Sequence, residues 1–518
     1  MVGTNVALFN GMMRLNTYRA IGGLTGFALV VFAANVEAQP RTTNRSARRV
    51  ASRDTSPSAT SASSGAVSGV AALADAVSTA LNGRTRSGEW GAIIVSLTRG
   101  DTLFEKNPDT MLQPASTMKM YTSAVALDRF GPDYTFRTPV LRDGAPQPDG
   151  SLSGNLYIRG VGDPSLTARF WRGEEPMDAL AKQVAATGIK RVRGDIIGDA
   201  TAFDDKLVPD GWKTSYLGAA YAARVSALSL AENLVWVAVR PEGNRAVVTL
   251  EPATTTIPLN SSVRVVPGSG GRISASRRPD GSISVSGSIG SRSGPLKYSL
   301  VADNPPLFVA GALRAALQKA GVTVDGQTRL GPTPPGATEI TALASPPLAQ
   351  IIGEMDRESI NVFAELLYRA AARNDQTVTA DVALANLRNF MSKKVGTSPN
   401  FVEAADGSGL SLLDRVTPRS MVQLLSYAHR ADWGPVFHAA LPVDGESGTL
   451  KRRINTPARG NLHAKTGTTN TVAALGGYVT AKNGEMLAFS LIYNGADRWN
   501  AKAAMDQIGA RMADFVRE

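Results

Sequence analysis

The chain has 518 residues, of which 43% are hydrophobic and 19% are charged, as in folded globular proteins. It has no cysteine, which excludes disulfides and thiolate chemistry. Its 55 basic and 44 acidic residues give a net charge of +11. The only three histidines, His429, His438 and His463, have no metal-ligand spacing, so we expect packed or surface rings, no metal site and no cofactor.

The N-terminus has the order of a secretory signal peptide. Arg14 and Arg19 precede an apolar run from Ile21 to Ala34, and small residues surround a cut after Ala38. The alternative is a membrane anchor, which needs about 20 apolar residues. This run is shorter and is interrupted by glycines. We therefore expect residues 1–38 to be a signal peptide, with export to the periplasm or cell envelope and no stable membrane span.

Residues 39–69 are predicted to be a disordered basic linker. The segment is rich in Ser, Thr and Ala and has too few apolar residues to form a core. Its arginines are compatible with contact to an anionic envelope polymer, but a solvated linker is the simpler interpretation. Export argues against nucleic acid as a partner.

The first folded segment is predicted to consist of a helix, a hairpin and a second helix. Apolar spacing indicates a helix over Val70–Leu81, and two β-type runs, Gly91–Leu97 and Thr102–Glu105, flank a turn. Ser116 then starts a helix that runs to Leu127, before Gly131-Pro132 stops it.

In residues 141–334, short strand-like runs recur between two helical stretches. This region is predicted to be an inserted α+β region with one or two small cores. Helical spacing occurs at Met177–Ala186 and Leu307–Ala320, and Arg278–Gly281 is typical of a hairpin turn. The strand-like runs are Leu156–Ile158, Asp195–Ile197, Leu234–Val239, Ala246–Leu250 and Val263–Val266.

The C-terminal segment is predicted to have helices, then strands, then a closing helix over Ala501–Val516. The earlier helices are expected at Leu348–Met355, Ile360–Ala371 and Asp381–Lys393, and the strands at Asn461–Thr468, Val472–Thr480 and Met486–Tyr493. We expect the opening hairpin and these strands to share one antiparallel sheet. Residues 70–140 and 335–518 would then form one catalytic domain around the insertion.

Ser116-Thr117-Met118-Lys119 is the only S-x-x-K in the chain. On a helix, Ser116 and Lys119 lie one turn apart on the same face. A hydroxyl needs a nearby base before it can attack a carbonyl, and a desolvated lysine can be that base. The alternative is a capping serine followed by a surface lysine.

Lys465-Thr466-Gly467-Thr468 is the only K-T-G in the chain and lies on a predicted strand. The small Gly467 lets a substrate backbone lie alongside the strand, while the lysine and the threonine hydroxyls meet a carboxylate. The alternative is an edge strand with ordinary polar side chains.

A hydroxyl and an amide that assist proton transfer are expected in an S-x-N motif, and the chain has three. We favour Ser359 and Asn361 because they begin a helix packed by apolar residues. The main alternative is Ser153 and Asn155 in the inserted region, followed by Ser398 and Asn400 in a polar loop.

With these motifs in this order, the chain resembles the penicillin-binding D-alanyl-D-alanine carboxypeptidases, in particular their class C low-molecular-mass group, which includes endopeptidases. The similarity covers nearly all of the chain after the tail. Glu365 follows Asn361 in a matching context, whereas Ile360 stands where an Asp is common. Further similar stretches are Gly154–Pro164, Val225–Ser229, Asp406–Ser411 and Gly448–Leu450.

The resemblance implies a β-lactamase/transpeptidase-like catalytic domain, an antiparallel sheet flanked by helices, with an α+β insertion of nested subdomains. It also implies stem peptides ending in D-Ala-D-Ala as substrates and β-lactams as covalent inhibitors. Ser116 would be the nucleophile, Lys119 its base, and Ser359, Asn361 and Lys465 the remaining catalytic groups. Thr466, Gly467 and Thr468 would bind substrate.

Other functions remain open at this stage. The same fold supports a serine β-lactamase or an esterase, and a non-catalytic module that binds the wall or senses penicillin would use the insertion. The absence of a G-x-S-x-G nucleophile elbow argues against a Ser-His-Asp hydrolase.

Overall fold

The structure is a computed structural model that describes residues 67–374, 376–453 and 456–517. The predicted signal peptide and all of the predicted linker up to residue 66 lie outside the described residues. Within those ranges, no helix has the length and apolar character needed to cross a membrane.

After a short first strand, the described chain has the helix, hairpin and second helix that the sequence predicts. Gly131, with a φ of 78°, ends the helix that follows Ser116. In chain order the elements are β1 (Val67–Ser68), α1 (Val70–Arg84), β2 (Glu89–Ser96), β3 (Thr102–Lys106), a 3-10 turn (Ala115–Thr117) and α2 (Met118–Phe130). The hairpin β2–β3 is antiparallel, as expected.

The middle region, which we define as residues 137–344, is rich in strands. Its elements are β4 (Arg137–Arg142), β5 (Ser151–Leu152), β6 (Leu156–Arg159), α3 (Pro176–Ala186), β7 (Arg191–Val192), β8 (Ile196–Asp199), β9 (Leu234–Glu242), β10 (Arg245–Glu251), β11 (Leu259–Val266), β12 (Gly271–Arg277), β13 (Ile283–Gly290), β14 (Leu296–Val301), α4 (Pro305–Lys319), β15 (Thr323–Val324), β16 (Thr328–Leu330) and β17 (Thr338–Ala344). Short 3-10 turns at Thr214–Tyr216, Ala220–Ala222 and Ala231–Asn233 lie between β8 and β9.

Three sheets organise this middle region. They have the strand orders β16-β8-β6-β4-β17, β12-β13-β11-β10-β9-β14 and β15-β7-β5. Because β4 pairs with β17, the first sheet reaches from Arg137 to Ala344. The predicted start of the insertion at residue 141 therefore falls inside β4, and its predicted end at residue 334 falls before β17. The division of the chain into domains stays a prediction.

The C-terminal segment begins with helices and ends with strands and a helix, as predicted. Its elements are α5 (Leu348–Glu358), α6 (Asn361–Ala371), α7 (Ala380–Phe390), β18 (Val402–Glu403), β19 (Arg415–Val416), α8 (Pro418–Arg430), α9 (Gly434–Ala440), β20 (His463–Thr468), β21 (Val472–Thr480), β22 (Met486–Asn494), α10 (Arg498–Ala513) and β23 (Phe515–Val516). The helices α8 and α9 were not predicted, although Pro418 at the first helical position is a start signal for α8.

Both ends of the chain build one five-stranded antiparallel sheet with the order β20-β21-β22-β2-β3. This confirms the predicted shared sheet. Alternate residues of β21 face opposite cores: Ala473 and Leu475 pack with α1 and α10, whereas Val472 and Ala474 pack with α2 and α8. The sheet is thus covered by helices on both faces, which accounts for its long apolar strands.

Two predicted boundaries are wrong at the chain ends. Val67–Ser68, assigned to the disordered linker, pairs in parallel with Phe515–Val516, assigned to the last helix. The helix α10 instead ends at Ala513, and Phe515 is buried. The pairing satisfies backbone N–H and C=O groups of both segments. Because the paired residues lie at opposite ends of the described chain, no local sequence pattern predicts this contact.

The three histidines converge on one side chain, Tyr478 of β21. His438 stacks on His463 with ring centroids 4.3 Å apart and lies 5.0 Å from the Tyr478 ring, while His429 lies 6.2 Å from it. Burial, together with the neighbouring His463 and His429, lowers the pKa of His438 to about 4. In the parts of the chain that the structure describes, no group of side chains has the arrangement of a metal site.

The buried His438 predicts a specific acid sensitivity. Its folded-state pKa lies below the unfolded value of about 6.5. The contribution of His438 to stability is therefore complete above pH 6.5 and decreases as the pH falls toward 4. We expect the melting temperature of His438→Gln to fall less steeply than that of the wild type over this window.

Thermal unfolding between pH 7 and pH 4 measures this difference. The matched control is His429→Gln, which changes an exposed histidine of the same cluster and should keep the steep decline. Parallel curves for the wild type and His438→Gln would contradict the prediction.

Candidate active site

Ser116 lies in a tight turn directly before α2. The sequence predicted that Ser116 would start the helix, but the structure places it inside the 3-10 turn Ala115–Thr117. Ala115 has a φ of 45°, a strained value for a residue other than glycine, and the Thr117 hydroxyl donates a 2.7 Å hydrogen bond to the Pro114 carbonyl. The turn leaves Ser116 partly exposed while its neighbours are buried.

Lys119, one turn along α2, is fully buried beside Ser116. Its Nζ lies 3.1 Å from Ser116 Oγ and donates to Asn361 Oδ1 at 2.6 Å and to the Ser408 carbonyl at 2.8 Å. Burial lowers the pKa of Lys119 to about 8, although the nearby carboxyls, chiefly that of Asp406, act in the opposite direction. A usable fraction of this lysine is therefore neutral near physiological pH.

Lys465 on β20 is the second fully buried lysine of the site. Its Nζ donates to Ser359 Oγ at 2.9 Å and to the Thr466 carbonyl at 3.0 Å. Burial lowers the pKa of Lys465, and the positive charge of Lys119 lowers it further, whereas the carboxyl of Asp356 raises it. Burial in turn raises the pKa of Asp356, whose carboxylate accepts a 2.6 Å hydrogen bond from Ser123.

Ser359 and Asn361 reach the two lysines from the junction between α5 and α6. The sequence predicted that Ser359 would begin a helix. In the structure it instead follows the last residue of α5, with a left-handed φ of 57°. Asn361 is the first residue of α6, and its amide nitrogen donates to the Tyr221 carbonyl at 2.8 Å. Ile360 between them is buried in the core, so it turns away from the polar site.

The two alternative S-x-N motifs make local interactions. The Asn155 side chain donates to Asp143 at 2.7 Å and accepts the Asp195 N–H at 2.8 Å, which ties the start of β6 to β8. Ser398 accepts the N–H of Asn400 in a 3-10 turn. Within the described residues, neither motif hydrogen-bonds to the serine or the lysines of the site.

The end of β20 runs beside the turn that carries Ser116. A Cβ on Gly467 would lie 2.5 Å from the Pro114 carbonyl oxygen, so only glycine allows this approach. The Thr466 hydroxyl donates to the Thr449 hydroxyl at 2.8 Å, and Thr468 is exposed at the strand end. Hydroxyls and a lysine are thus available together for an anionic group.

Two backbone carbonyls, those of Ser408 and Tyr221, complete the site and were missed from the sequence. The Asp406 carboxylate folds the turn that presents the Ser408 carbonyl. It accepts the N–H groups of Ser408, Gly409 and Ser411 at 2.9, 2.6 and 2.7 Å, and the indole N–H of Trp212 at 2.7 Å. An Asp followed by Gly and Ser is a signal for such a turn, but not for its position.

These side chains form a nucleophile–base pair next to a second hydroxyl–lysine pair. A serine with a buried amine at 3.1 Å can form an acyl-enzyme, and a partly exposed strand edge beside it can hold an extended peptide. The geometry supports acyl transfer at Ser116.

Comparisons with known proteins agree with this chemistry. The chain matches the family described as D-Ala-D-Ala carboxypeptidase 3 (S13) over residues 73–515. It is 35% identical over 448 residues to a D-alanyl-D-alanine carboxypeptidase of Actinomadura sp. (strain R39), covering 82% of this chain and 81% of that protein. It is 26% identical over 415 residues to the D-alanyl-D-alanine carboxypeptidase DacB of Haemophilus influenzae, covering 78% of this chain and 85% of that protein.

A solved structure shares the fold. The structure of penicillin binding protein 4 from Haemophilus influenzae superposes with a TM-score of 0.70 at 24% identity, over 84% of this chain and 97% of that one. The chain therefore shares the fold of that penicillin binding protein and has the mixed α/β architecture that the sequence predicts.

The choice among the S-x-N motifs gives a direct prediction. Asn361→Ala removes the amide that contacts Lys119, and we expect it to cost about 2 kcal/mol or more in transition-state stabilisation, or about 30-fold in kcat/KM. Asn155→Ala should lower the melting temperature without slowing D-Ala release from a D-Ala-D-Ala peptide. A folded Asn361→Ala with near-normal turnover, beside an inactive Asn155→Ala, would contradict this assignment.

Proposed function

Because the chain belongs to the D-Ala-D-Ala carboxypeptidase 3 (S13) family, we propose that its serine carboxypeptidase activity is carried by Ser116. The chain is a D-alanyl-D-alanine carboxypeptidase of the serine type. The observation that carries the residue assignment is the 3.1 Å contact between Ser116 Oγ and the buried Nζ of Lys119. Ser359 is also partly exposed and has a buried amine, that of Lys465, at 2.9 Å, but it lies at the end of α5 and not in an S-x-x-K motif at the start of a helix.

In the proposed acylation step, Ser116 Oγ attacks the carbonyl carbon of the bond between two D-alanines, and neutral Lys119 takes the hydroxyl proton. Asn361 and the Ser408 carbonyl hold the Lys119 amine in place. The tetrahedral oxyanion is stabilised by the backbone N–H groups of Ser116 and Thr468, each worth about 3 kcal/mol.

In the proposed collapse of this intermediate, the C–N bond breaks and the departing amine needs a proton. Ser359 passes to this amine the proton that Lys119 took from Ser116, and Lys465 holds the Ser359 hydroxyl in place with a 2.9 Å hydrogen bond. D-alanine leaves, and water hydrolyses the ester on Ser116 to free the shortened peptide. Lys465, Thr466 and Thr468 receive the terminal carboxylate of the substrate, and Gly467 keeps the strand close to the nucleophile.

The same site supports two related activities. An endopeptidase reaction differs only in the leaving amine, which is then a longer peptide. A β-lactam carries a reactive amide and acylates the same serine, so we propose that β-lactams are covalent inhibitors. The proposed substrates are peptidoglycan stem peptides ending in D-Ala-D-Ala, and this substrate fits the signal-like N-terminus and a site of action in the cell envelope.

Turnover of a D-Ala-D-Ala peptide tests the proposal. We expect the wild type to release D-Ala and Ser116→Ala to release none while keeping the wild-type melting temperature. Turnover also separates an enzyme from a penicillin-sensing module, because both would be acylated by penicillin. Retained turnover in Ser116→Ala would overturn the assignment of the nucleophile.

The pH dependence of acylation tests the role of Lys119. Since its pKa is about 8 and only the neutral amine accepts a proton, the acylation rate should rise with pH and level off above 8. Below this value the rate should fall about tenfold for each pH unit. Lys119→Arg should not be acylated because arginine does not give up its proton.

Stopped-flow acylation by a chromogenic β-lactam measures this profile. Melting temperatures and a second variant, Lys119→Gln, separate loss of the base from loss of the fold. A folded Lys119 variant that is acylated at a rate near the wild type would move the base role to another group.

A further inference from the structure

Three arginines form a row across the six-stranded sheet of the middle region. Arg245 of β10 is the register partner of Arg264 of β11, which in turn pairs with Ser288 of β13. Ser288 pairs with Arg272 of β12 on its other side. Register partners project from the same face of a sheet, so the three guanidinium groups lie on one face. We call Arg245, Arg264 and Arg272 the arginine row.

This face of the sheet points to solvent. All three arginines are exposed, whereas the intervening residues of β13, Ile283, Val285 and Ile289, are buried in the core. Across the described ranges, no member of the arginine row forms an ion pair or a side-chain hydrogen bond. Like charges at directly opposed positions destabilise a sheet. The acidic register partner of Arg245 on β9, Glu242, forms an ion pair with Arg240 at 3.5 Å, so the row keeps a positive charge that this pairing does not neutralise.

Hydroxyl and amide groups surround the arginine row. The outward positions of β11, β12 and β13 that lie away from the row are almost all small polar residues: Asn260, Ser262, Ser274, Ser276, Ser284 and Ser286. Proteins that rest on a lipid surface add apolar or aromatic side chains to insert below the head groups. On this face of β11, β12 and β13, Val266 is the one exposed large apolar residue among the described residues, so the face suits a hydrated polymer instead.

We propose that the arginine row is a second binding surface, separate from the active site, for the carboxylate groups of peptidoglycan. This inference rests on the proposed function, which makes that polymer the carrier of the substrate. The Arg fork matches a carboxylate with two parallel hydrogen bonds. Neighbouring β-strands are about 5 Å apart, so the backbone of Arg264 lies about 5 Å from that of Arg245 and about 10 Å from that of Arg272. The row can therefore bind more than one carboxylate of an extended peptidoglycan chain.

Charge excludes two other occupants. The N-terminal segment outside the described residues is itself basic, with five arginines between Arg41 and Arg53. A second copy of the chain also has the same sign, since the net charge is +11. An anionic polymer is the complementary partner.

Co-sedimentation with purified insoluble peptidoglycan tests the surface. The full chain carries Ser116→Ala in this assay, so that the polymer stays intact. Replacing the arginine row by glutamine should weaken binding about tenfold, if each exposed contact contributes a modest share. Binding of the unreplaced protein should also fall with added salt and after amidation of the peptidoglycan carboxylates.

A matched control removes three positive charges elsewhere. It replaces three exposed residues that lie outside this sheet and outside the active site: Arg99, Lys394 and Arg430. This control should bind peptidoglycan as before. With Ser116 intact, both triple variants should release D-Ala from a small D-Ala-D-Ala peptide at the wild-type rate.

Equal binding by the row variant and the control would overturn the proposal, as would binding to phosphatidylglycerol vesicles but not to peptidoglycan. A wild type that binds peptidoglycan but does not hydrolyse the small peptide would overturn the proposed function and leave the surface in place. A row variant that hydrolyses the peptide and binds peptidoglycan normally would overturn the surface alone.

Discussion

The site depends on burying two lysines side by side. Lys119 and Lys465 are both fully buried, and burial of an ammonium group is costly unless the group is hydrogen-bonded or neutral. The structure meets both conditions: oxygen acceptors contact each Nζ, and desolvation lowers both pKa values. Burial thus makes Lys119 a better base at neutral pH, because a larger fraction of its amine is neutral and can accept a proton.

The acceptors come from segments that are far apart in the chain. Asn361 begins α6, Ser408 lies in the turn folded by Asp406, and Ser359 ends α5. Through Trp212 and the Tyr221 carbonyl, the middle region also contacts the groups that hold Lys119. The residues after β8 therefore belong to the support of the catalytic base as well as to their own sheets. Because of these contacts, the middle region could not be exchanged for an unrelated domain without changing the support of Lys119.

The hairpins and the main site residues could be predicted from the sequence, because local sequence patterns determine them. The β2–β3 hairpin and the turn at Asn483-Gly484 follow from alternating apolar residues around turn residues. Ser116 and Lys119 could be paired because helix geometry fixes residues three apart. Gly467 could be assigned to a strand that another backbone approaches, but the sequence suggested a substrate backbone, whereas the structure shows that the neighbouring backbone is that of Pro114.

Other features had no local signal. The left-handed backbone of Ser359 depends on the packing of α5 against α6, because nothing in a Ser-Ile-Asn tripeptide requires it. The carbonyls of Ser408 and Tyr221 were invisible because every residue has a carbonyl. Only the fold selects the carbonyl that faces the Lys119 amine and the carbonyl that faces the Asn361 side-chain amide. The pairing of β1 with β23 joins residues at opposite ends of the chain.

The sheet shared by both chain ends also fixes the order of assembly. Glu89 of β2 pairs with Asn494 of β22, so this sheet has an extreme contact order and cannot close until almost the whole chain is present. The sheets of the middle region draw their strands from one continuous stretch, and their widest pairing, Arg137 with Ala344, is complete well before β22 is present. We expect the middle region to fold first and to hold the two flanking segments near each other. Completing the last strands of the chain would then close the sheet and bring Lys465 to the serine in the same step.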